Sequence, residues 1–231
     1  QDVRAFAADV VFVPTAAWAR FDVATAVMVR NMEPLEAPVR GNAPAEALRN
    51  LARAWRTYRA CARATRIIAV SSHVRTFLVE RWRVDARRIG LVYHGVDRPD
   101  PAARLRPPAA VASIAGPFLF TAGSIRPQRG PEDAIAALPI VLQTRPDMTL
   151  VVAGAPTPDA ATHAARLREA PARATVAHRI VWAGELSATE MSWCYRACRA
   201  FLMTSRVEAC PNVALEAMAH GCLIASVDRP P

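Results

Sequence analysis

Residues 200–221 read AFLMTSRVEACPNVALEAMAHG and join a short apolar run to a helical pattern through a polar loop. The run Ala200–Met203 predicts a buried strand, and Pro211 stands at the end of the loop, where a helix can begin. The loop carries Glu208 and the helical pattern carries Glu216. A strand, a loop and a helix in this order form the repeating unit of α/β proteins.

The same alternation extends along the chain on both sides of this stretch. The predicted strands are Val10–Val13, Ala26–Arg30, Arg66–Val70, Ile89–Tyr93, Phe118–Thr121, Thr149–Ala153, Ile180–Trp182, Ala200–Met203 and Leu223–Ser226. The predicted helices are Ala45–Ala64, His73–Trp82, Pro131–Gln143, Asp159–Glu169, Ser187–Cys198 and Pro211–Ala219. Nearly continuous apolar runs predict strands buried on both faces, and hence parallel sheets in a doubly wound α/β fold.

The alternation is interrupted once, over residues 99–116, where prolines are frequent and periodicity is weak. We predict a linker there, between one domain at 1–98 and another at 117–231. Each domain has fewer strands than a complete doubly wound domain. The chain also starts without Met and stops just after a predicted strand. We therefore expect both domains to be incomplete and the chain to lack both ends.

The composition excludes several classes of protein. Hydrophobic residues make up 52% and charged residues 21% of the 231 positions, which indicates a globular chain rather than a disordered one. No apolar run approaches the ~20 residues of a membrane span. The five cysteines show no zinc-site spacing and indicate free thiols in a reducing, cytoplasmic setting, so we expect no metal.

All basic residues are arginine, and the net charge is +9. This charge permits nucleotides, phospholipid or nucleic acid as partners. The aromatic platforms and recognition motifs of nucleic-acid-binding modules are missing, so nucleic acid is the least favoured partner.

The segment Thr121–Gly130 is a candidate phosphate-binding turn between a strand and a helix. Gly123 and Gly130 relax the backbone at its two ends, while Arg126 and Arg129 supply positive charge beside a helix N-terminus. The pattern is neither a Walker A loop nor G-x-G-x-x-G. An ordinary turn with two solvated arginines is the alternative.

The pair Glu208 and Glu216 is the second candidate. A helix N-terminus between two carboxylates suits a phosphate on the N–H groups with hydroxyls gripped on either side. The alternative is a loop glutamate and a helix-face charge. The apolar neighbours of Glu216 oppose that alternative, because an unpaired buried carboxylate is costly.

The stretch Glu208-ACPNVAL-Glu216 resembles the E-x7-E signature of retaining nucleotide-sugar glycosyltransferases of family 4. Further similarities occur in the family's order along the chain. They are Ile68–Ser71, Tyr93–Asp97, Phe120–Gly130, Val151–Gly154 and Trp182–Glu185. The resemblance implies the GT-B architecture of two Rossmann-like domains, and it covers about residues 66–226.

The resemblance also implies roles for individual residues. The catalytic set would be Glu208, which binds the hexose, with Arg126 and Arg129, which stabilise the departing diphosphate. The donor-binding set would be Gly123, Ser124, Gly184, Glu185, Asn212, Val213, Ala214 and Glu216. Glu216 would bind the ribose, the backbone N–H groups of 212–214 would face the diphosphate, and Trp182–Glu185 would line the base pocket.

The sequence also departs from the family pattern. Ser124 stands where the family has Arg, and Arg129 stands where it has Lys. No Asp-x-Asp is present, which fits a family that uses no metal at the donor phosphate. The implied reaction is retaining transfer of a hexose from a UDP- or GDP-sugar to a glycan, a lipid-linked or a small-molecule acceptor. A sugar-nucleotide epimerase or phosphorylase of the same architecture is the alternative.

One further helical stretch is arginine-rich. Arg49, Arg53, Arg56, Arg59, Arg63 and Arg66 fall on one side of a helical wheel, and Leu51, Trp55, Tyr58, Cys61 and Ala62 on the other. The first interpretation is a helix that packs its apolar side on the sheet and solvates its arginines. The second is peripheral contact with anionic lipid at the inner membrane face.

Overall fold

The computed structural model describes residues 6–17, 21–37, 39, 42–173 and 176–228. These residues form two compact units. The first comprises the chain up to His94 together with Val207–Cys210, and the second comprises Gly95–Arg206 together with the residues from Pro211 onward. Residues 1–5 and 229–231, at the two ends where we expect the chain to be incomplete, lie outside the described part.

In the first unit, parallel strands form one sheet in chain order. The strands are β1 (Val10–Val13), β2 (Ala24–Val29), β3 (Arg66–Ala69) and β4 (Ile89–Leu91). The helices are α1 (Glu33–Glu36), α2 (Pro44–Arg63) and α3 (Ser72–Glu80). All of these except α1 were predicted. A single turn such as α1 is too short for apolar periodicity to reveal it.

The prediction that the strands are buried on both faces is wrong for the outer strands of this sheet. β1 lies at an edge in the strand order, and its residues Val10 and Phe12 are exposed. The inner strands behave as expected, since Val27 and Ile67 are fully buried in the core. An edge strand is paired on one side only, so an apolar run does not ensure its burial.

The short stretch Val207–Cys210 belongs to the first unit although its neighbours in the chain belong to the second. Ala209 is buried in the first unit's core, and Val207 and Cys210 pack against the same cluster. This excursion was not predicted. Apolar residues in a loop do not indicate which core they will join.

In the second unit, all strand pairs are again parallel. The strands are β5 (Phe118–Ala122), β6 (Thr149–Ala153), β7 (Ile180–Gly184), β8 (Ala200–Met203) and β9 (Ile224–Ser226). The helices are α4 (Pro131–Thr144), α5 (Ala161–Arg173), α6 (Ala188–Ala197) and α7 (Asn212–Ala219). The spatial order β7-β6-β5-β8-β9 is the Rossmann order.

Helices cover both faces of this second sheet. One core cluster joins Phe120 and Phe201 to residues of α6 and α7, such as Tyr195 and Ala217. The other joins Leu150 to residues of α4 and α5. Because successive strand residues point to opposite faces, the sheet feeds both clusters. This confirms the α/β fold with parallel sheets, and it places α6 and α7 on the same face.

Two predicted helix starts in this unit are confirmed. Ser187 and Glu190 form a capping box, in which the Ser187 N–H donates to Glu190 Oε2 at 2.8 Å. Pro131 occupies the first turn of α4, where its missing N–H costs no hydrogen bond. Both starts follow strands that end at the same edge of the sheet.

Residues 99–116 contain neither helix nor strand. Val111 is nevertheless buried in the core of the second unit, with Ile114 packed against that core. The stretch that we predicted as a linker is therefore anchored along part of its length.

We predicted that α2 packs its apolar side on the sheet, and this prediction is wrong for most of the large apolar residues on that side. Leu51, Trp55 and Tyr58 are exposed, whereas the buried stripe consists of Ala47, Asn50, Ala60 and Cys61. Of the apolar side that we defined from the sequence, Cys61 alone is buried. Small residues let a helix lie close to its neighbours, so the contact face of α2 is made of small side chains.

Candidate active site

From β5 the chain adds β6 and β7 on one side of the sheet, and then β8 and β9 on the other side. The two sets of connections lead away from each other, which leaves a crevice between β5 and β8. Ligands in open α/β sheets bind outside the carboxyl ends of the strands at such a switch point. The two segments singled out from the sequence follow these two strands. The segment at 121–130 begins in the last two residues of β5 and continues beyond it, and the stretch at 204–206, leading toward α7, follows β8.

The turn after β5 needs glycine at both of its ends. Gly123 has φ of +135° and Gly130 has φ of +59°, which side chains of other residues rarely adopt. A Cβ at Gly130 would overlap the carbonyl oxygen of Thr204. Between the two glycines, Pro127–Arg129 form one 3-10 turn that leads into α4. The structure thus explains both glycines by backbone geometry.

Hydrogen bonds bring the two segments together. Thr204 Oγ1 donates to the carbonyl of Arg129 at 3.0 Å, and the Arg206 N–H donates to the carbonyl of Gln128 at 2.8 Å. The Arg206 guanidinium also pairs with Glu132 at 2.9 Å and with Asp133 at 3.2 Å. Backbone and side-chain groups of the loop after β8 therefore both bind it to the turn after β5 and to the start of α4.

The two arginines of the turn lie in different surroundings. Arg129 extends beside Gly123, and its Nη1 donates to Ser205 Oγ at 3.4 Å. With Gly123, Ser124 and Ser205 it lines a small cavity of about 20 Å³, room for about one water molecule. Arg126 is half-buried in extended backbone and does not line that cavity.

Helix α7 begins after Pro211 and presents its first residues at the carboxyl edge of the sheet. Asn212 and Val213 open the helix, and the Ala214 N–H donates to the carbonyl of Pro211 at 3.1 Å. Of the three N–H groups expected to face a phosphate, that of Ala214 is thus already used within the turn. The other two belong to the end of the helix dipole that favours an anion.

Glu216 is bound by a residue that sequence reasoning missed. The phenol of Tyr195 on α6 donates to Glu216 Oε2 at 3.0 Å. Tyr195 is 2% exposed, and its ring packs edge-on against Phe120 and Phe201. Burial raises the pKa of Tyr195 well above its usual range, and the neighbouring Glu216 carboxylate raises it further. The phenol therefore stays protonated and serves Glu216 as a fixed donor.

His220 lies one helical turn beyond Glu216, at i+4. Its Nδ1 is 2.8 Å from the carbonyl oxygen of Glu216, so Nδ1 carries the proton in that bond. The His220 ring lies 5.4 Å from the Tyr195 ring. The spacing of Glu216 and His220 on one helix face was a signal available in the sequence.

A cleft of about 570 Å³ runs along α6 and α7, and we call it the α6–α7 cleft. Tyr195, Asn212, Glu216 and His220 line it, together with the chain segment that includes Arg98 and Asp100. Its volume lies in the range of ligand sites. Two predicted donor-binding residues, Asn212 and Glu216, thus share one concave surface.

The end of β7 and the turn after it contain the next two predicted residues. Gly184 has φ of +69°, and its carbonyl accepts a hydrogen bond from the Gly154 N–H at 2.6 Å. Glu185 is exposed. Trp182 packs against the core on the α4 and α5 face, with the Arg168 guanidinium 5.5 Å from its ring.

Glu208 lies in Val207–Cys210, and it is half-buried there. It therefore belongs to the first unit, whereas Glu216 belongs to the second. In the first unit, the predicted serine after β3 has a structural role. Ser71 caps α3, its Oγ accepting from the Val74 N–H at 3.2 Å.

Within the described residues, no group of three or more His, Cys, Asp or Glu side chains could hold a metal ion. In the same part of the chain, none of the helices combines the length and apolar character that crossing a membrane requires.

Each of the two units matches a family model. Residues 113–231 match the model described as Glycosyl transferases group 1. Residues 1–100 match the model described as Glycosyltransferase Family 4. The first of these matches alone covers more than half of the chain.

Two relatives among the curated proteins are about equally similar in sequence. D-inositol 3-phosphate glycosyltransferase of Acidothermus cellulolyticus is 31% identical over 152 residues, which are 62% of this chain and 34% of that protein. The lipopolysaccharide core biosynthesis mannosyltransferase LpsB of Rhizobium meliloti is 30% identical over 146 residues, 60% of this chain and 40% of that protein. The aligned residues thus span less than half the length of either relative.

Solved structures share the fold at lower identity. HepE of Anabaena, in complex with UDP-glucose, has a TM-score of 0.68 at 17% identity over 89% of this chain and 54% of that chain. Sucrose-phosphate synthase of Thermosynechococcus elongatus has a TM-score of 0.70 at 20% identity over 90% of this chain and 51% of that chain. These likenesses concern the GT-B fold.

Proposed function

The chain belongs to the glycosyl transferases of group 1, and we propose that it transfers a hexose from a nucleoside diphosphate sugar with retention of configuration. The donor is a UDP- or GDP-sugar. The acceptor is a glycan, a lipid-linked sugar or a small molecule. The solved HepE complex contains UDP-glucose, which supports a donor of this class.

One observation carries the proposal. Glu216, which the family resemblance assigns to the ribose, lines the α6–α7 cleft and is held at 3.0 Å by the buried phenol of Tyr195. A half-buried carboxylate with a fixed donor on one oxygen is preorganised, and its other oxygen can accept from a sugar hydroxyl. Its helix starts at the switch-point edge, where a diphosphate is expected.

The diphosphate would lie at the turn after β5. Arg129, beside Gly123, would supply one guanidinium group there, and the family resemblance assigns a second to Arg126. The backbone of Gly123 and Ser124 allows close approach. The N–H groups of Asn212 and Val213 add the positive end of α7. Charge develops on the diphosphate as the glycosidic bond breaks, and preorganised cations stabilise that charge most in the transition state. The mechanism proposed here therefore uses guanidinium groups in place of a divalent ion.

The remaining assignments complete the donor site. Gly184 and Glu185 would border the base, and Glu208 would hold the hexose hydroxyls. Glu208 acts in this proposal as a positioning carboxylate, with the acceptor attacking from the face that the diphosphate leaves. This differs from the two-carboxylate scheme of retaining glycosidases.

The experiment uses the full-length protein and a panel of UDP- and GDP-sugars. Thermal stabilisation selects the donor, and NMR of the product reports the anomeric configuration. Glu208→Gln should leave UDP binding unchanged and reduce kcat by about 100-fold or more, because UDP has no hexose. The exposed Glu80→Gln, at the end of α3 in the same unit as Glu208, serves as a matched control, with kcat near that of the parent.

Two outcomes would contradict the proposal. Conversion of the donor to an epimer without an acceptor product would identify an epimerase, and consumption of inorganic phosphate would identify a phosphorylase. Full activity of Glu208→Gln would remove that residue from the mechanism.

A further inference from the structure

Two cysteine side chains of the second unit lie against each other at the ends of α6 and α7. Cys198 Sγ and Cys222 Sγ are 3.3 Å apart, although 24 positions separate them in the chain. Both residues are half-buried and pack against the core cluster that contains Tyr195 and Ala217. We call Cys198 and Cys222 the thiol pair. The proposed transfer reaction makes no use of it.

The backbone at the two helix ends fixes the position of the thiol pair. Cys198 is the residue that ends α6. After α7, Gly221 has φ of +72°, and its N–H donates to the Met218 carbonyl at 2.9 Å. The Cys222 N–H donates to the Ala217 carbonyl at 3.0 Å. These two hydrogen bonds form a Schellman motif, which holds Cys222 at the end of α7.

The remaining cysteines of the chain differ from the thiol pair in place or in burial. Cys61 and Cys210 belong to the first unit, and Cys194 is fully buried in the second. The thiol pair, in contrast, is half-buried, and the residues that follow its two members, Arg199 and Leu223, are exposed. A small reagent in solution can therefore reach this pair, whereas Cys194 is covered.

We propose that the thiol pair is a redox-responsive site, at which a low-molecular-weight disulfide, oxidised glutathione, converts Cys198 and Cys222 into an intramolecular disulfide. The two sulfurs have to approach from 3.3 Å to about 2.05 Å, the length of an S–S bond. The site is separate from the turn at Gly123–Gly130 and goes beyond the proposed transfer reaction.

The reaction is a thiol–disulfide exchange in two steps. The Cys222 thiol loses its proton to water, and its thiolate attacks one sulfur of oxidised glutathione and expels one glutathione thiolate. The Cys198 sulfur then gives up its proton, attacks the Cys222 sulfur and expels the second glutathione. The protein thus loses two protons and two electrons, and oxidised glutathione is reduced to two molecules of glutathione.

The order of the two steps follows from the surroundings of Cys198. Burial, and then the hydrogen bond with Cys222, raise the pKa of Cys198 above its usual range. The thiolate is the nucleophile in such exchanges, so Cys222 attacks first and Cys198 resolves the mixed disulfide.

The disulfide would join the ends of the two helices that line the α6–α7 cleft. Tyr195 lies three residues before Cys198, and Glu216 lies six residues before Cys222. A cross-link between positions distant in the chain reduces the conformational freedom of the unfolded state. We therefore expect oxidation to stabilise the second unit against unfolding.

The test exposes the full-length protein to mixtures of reduced and oxidised glutathione at about pH 8, where thiolates form. N-ethylmaleimide then blocks the remaining thiols under denaturing conditions, and mass spectrometry counts the blocked groups. The oxidised parent should carry two fewer blocked thiols than the reduced protein and no glutathione. After trypsin without reduction, the peptide that ends at Arg199 should be linked to the peptide that begins at Val207.

Three serine variants locate the disulfide. Cys198→Ser should keep glutathione bound to Cys222, because the resolving thiol is missing. Cys222→Ser should form no disulfide within the chain. Cys210→Ser is the matched control, since it removes a half-buried thiol of the first unit, and it should form the cross-link like the parent. It also leaves Cys222 without a second cysteine between it and Arg206, which makes the peptide assignment unique.

Urea unfolding measures the effect of the cross-link on stability. The midpoint should rise when the parent is oxidised and return to its first value after reduction with dithiothreitol. Cys198→Ser and Cys222→Ser should show no rise, and Cys210→Ser should show the parental rise. Because neither measurement uses UDP, failure of this proposal is distinct from failure of the proposed transfer reaction.

The proposal is overturned if oxidised glutathione alone leaves both members of the thiol pair free to react with N-ethylmaleimide. It is also overturned if glutathione persists on Cys222 of the parent, since the two sulfurs then fail to meet. A disulfide between Cys194 and either member would contradict the pairing. An unchanged urea midpoint of the cross-linked parent would contradict the stabilisation of the second unit.

Discussion

The Tyr195 phenol donates a hydrogen bond of 3.0 Å to Glu216 Oε2, across 21 positions of the chain. This bond ties α6 to α7 at the wall of the α6–α7 cleft and leaves one oxygen of Glu216 available for a ligand. The packing of Tyr195 against Phe120 and Phe201 keeps the donor in place. We therefore expect the Tyr195–Glu216 hydrogen bond to affect both the stability of the fold and the affinity for a ligand. These two quantities can be measured separately.

Tyr195→Phe should weaken UDP binding by about 0.5–1.5 kcal/mol, because Glu216 loses its fixed donor while the ring packing is kept. Glu216→Gln should weaken UDP by about 1–2 kcal/mol through lost charged hydrogen bonds to the ribose. The double variant should lose less than the sum, since both changes act on one contact. Calorimetric titration with UDP measures all three values.

Tyr93→Phe is the control for this cycle. It removes a similar hydroxyl, which lies 2.8 Å from Ser72 Oγ in the first unit. UDP affinity should stay at the parental level. Additive losses for the Tyr195 and Glu216 variants would show that the bond does not orient Glu216 for the ligand.

Arg129→Ala should weaken UDP binding by about 1.5–3 kcal/mol, the cost of a charge-assisted hydrogen bond to phosphate. We expect a loss in the same range for Arg126→Ala. Uridine, which has no phosphate, should bind both variants like the parent.

Arg145→Ala controls for the loss of one positive charge in the same unit, because Arg145 pairs with Asp147 on the surface. Its UDP affinity should equal that of the parent. If uridine and UDP lose affinity equally in Arg129→Ala, this arginine supports the fold rather than the diphosphate.

Gly130→Ala should destabilise the second unit more than Gly184→Ala does. Both glycines have positive φ, but a Cβ at Gly130 would overlap the Thr204 carbonyl, whereas a Cβ at Gly184 meets no atom within 4 Å. We expect about 1 kcal/mol for the left-handed backbone at Gly184 and clearly more at Gly130. Urea unfolding measures both, and equal losses would exclude the close approach of the two loops as the cause.

Stability should fall at alkaline pH partly through Cys61. Burial raises the pKa of the Cys61 thiol to about 12 from 9.0. The unfolded chain therefore releases this proton first, and the thiol's contribution is complete below pH 9 and is lost between pH 9 and 12. From about pH 8 to 10, Cys61→Ala should lose about 1.4 kcal/mol less unfolding free energy than the parent.

The chain helps this measurement because it contains no lysine, so cysteine and tyrosine dominate the alkaline titration. Val74→Ala is the control, since it opens a cavity in the same core without removing a titratable group. From about pH 8 to 10, Val74→Ala should lose as much unfolding free energy as the parent. If Cys61→Ala also loses as much as the parent, a group other than Cys61 causes the pH dependence.

Local patterns of residues were enough to predict the order of strands and helices along the chain and the position of the turns. Short apolar runs such as Thr149–Ala153 and the capping box at Ser187 are local signals, because strand burial and helix capping depend on residues close in the chain. The same local patterns located the turn at Gly123–Gly130 and the pair Glu208 and Glu216. Family resemblance then gave these residues their proposed roles.

Which side chains meet could not be predicted from local patterns and is seen only in the folded structure. Tyr195 binds Glu216, Val207–Cys210 joins the first unit, and α2 exposes Leu51, Trp55 and Tyr58 while burying small residues. Each outcome depends on contacts between residues distant in sequence, where shape and close packing choose among several faces of similar hydrophobicity. Periodicity describes the faces of a helix, but only the packed neighbours determine which face is covered.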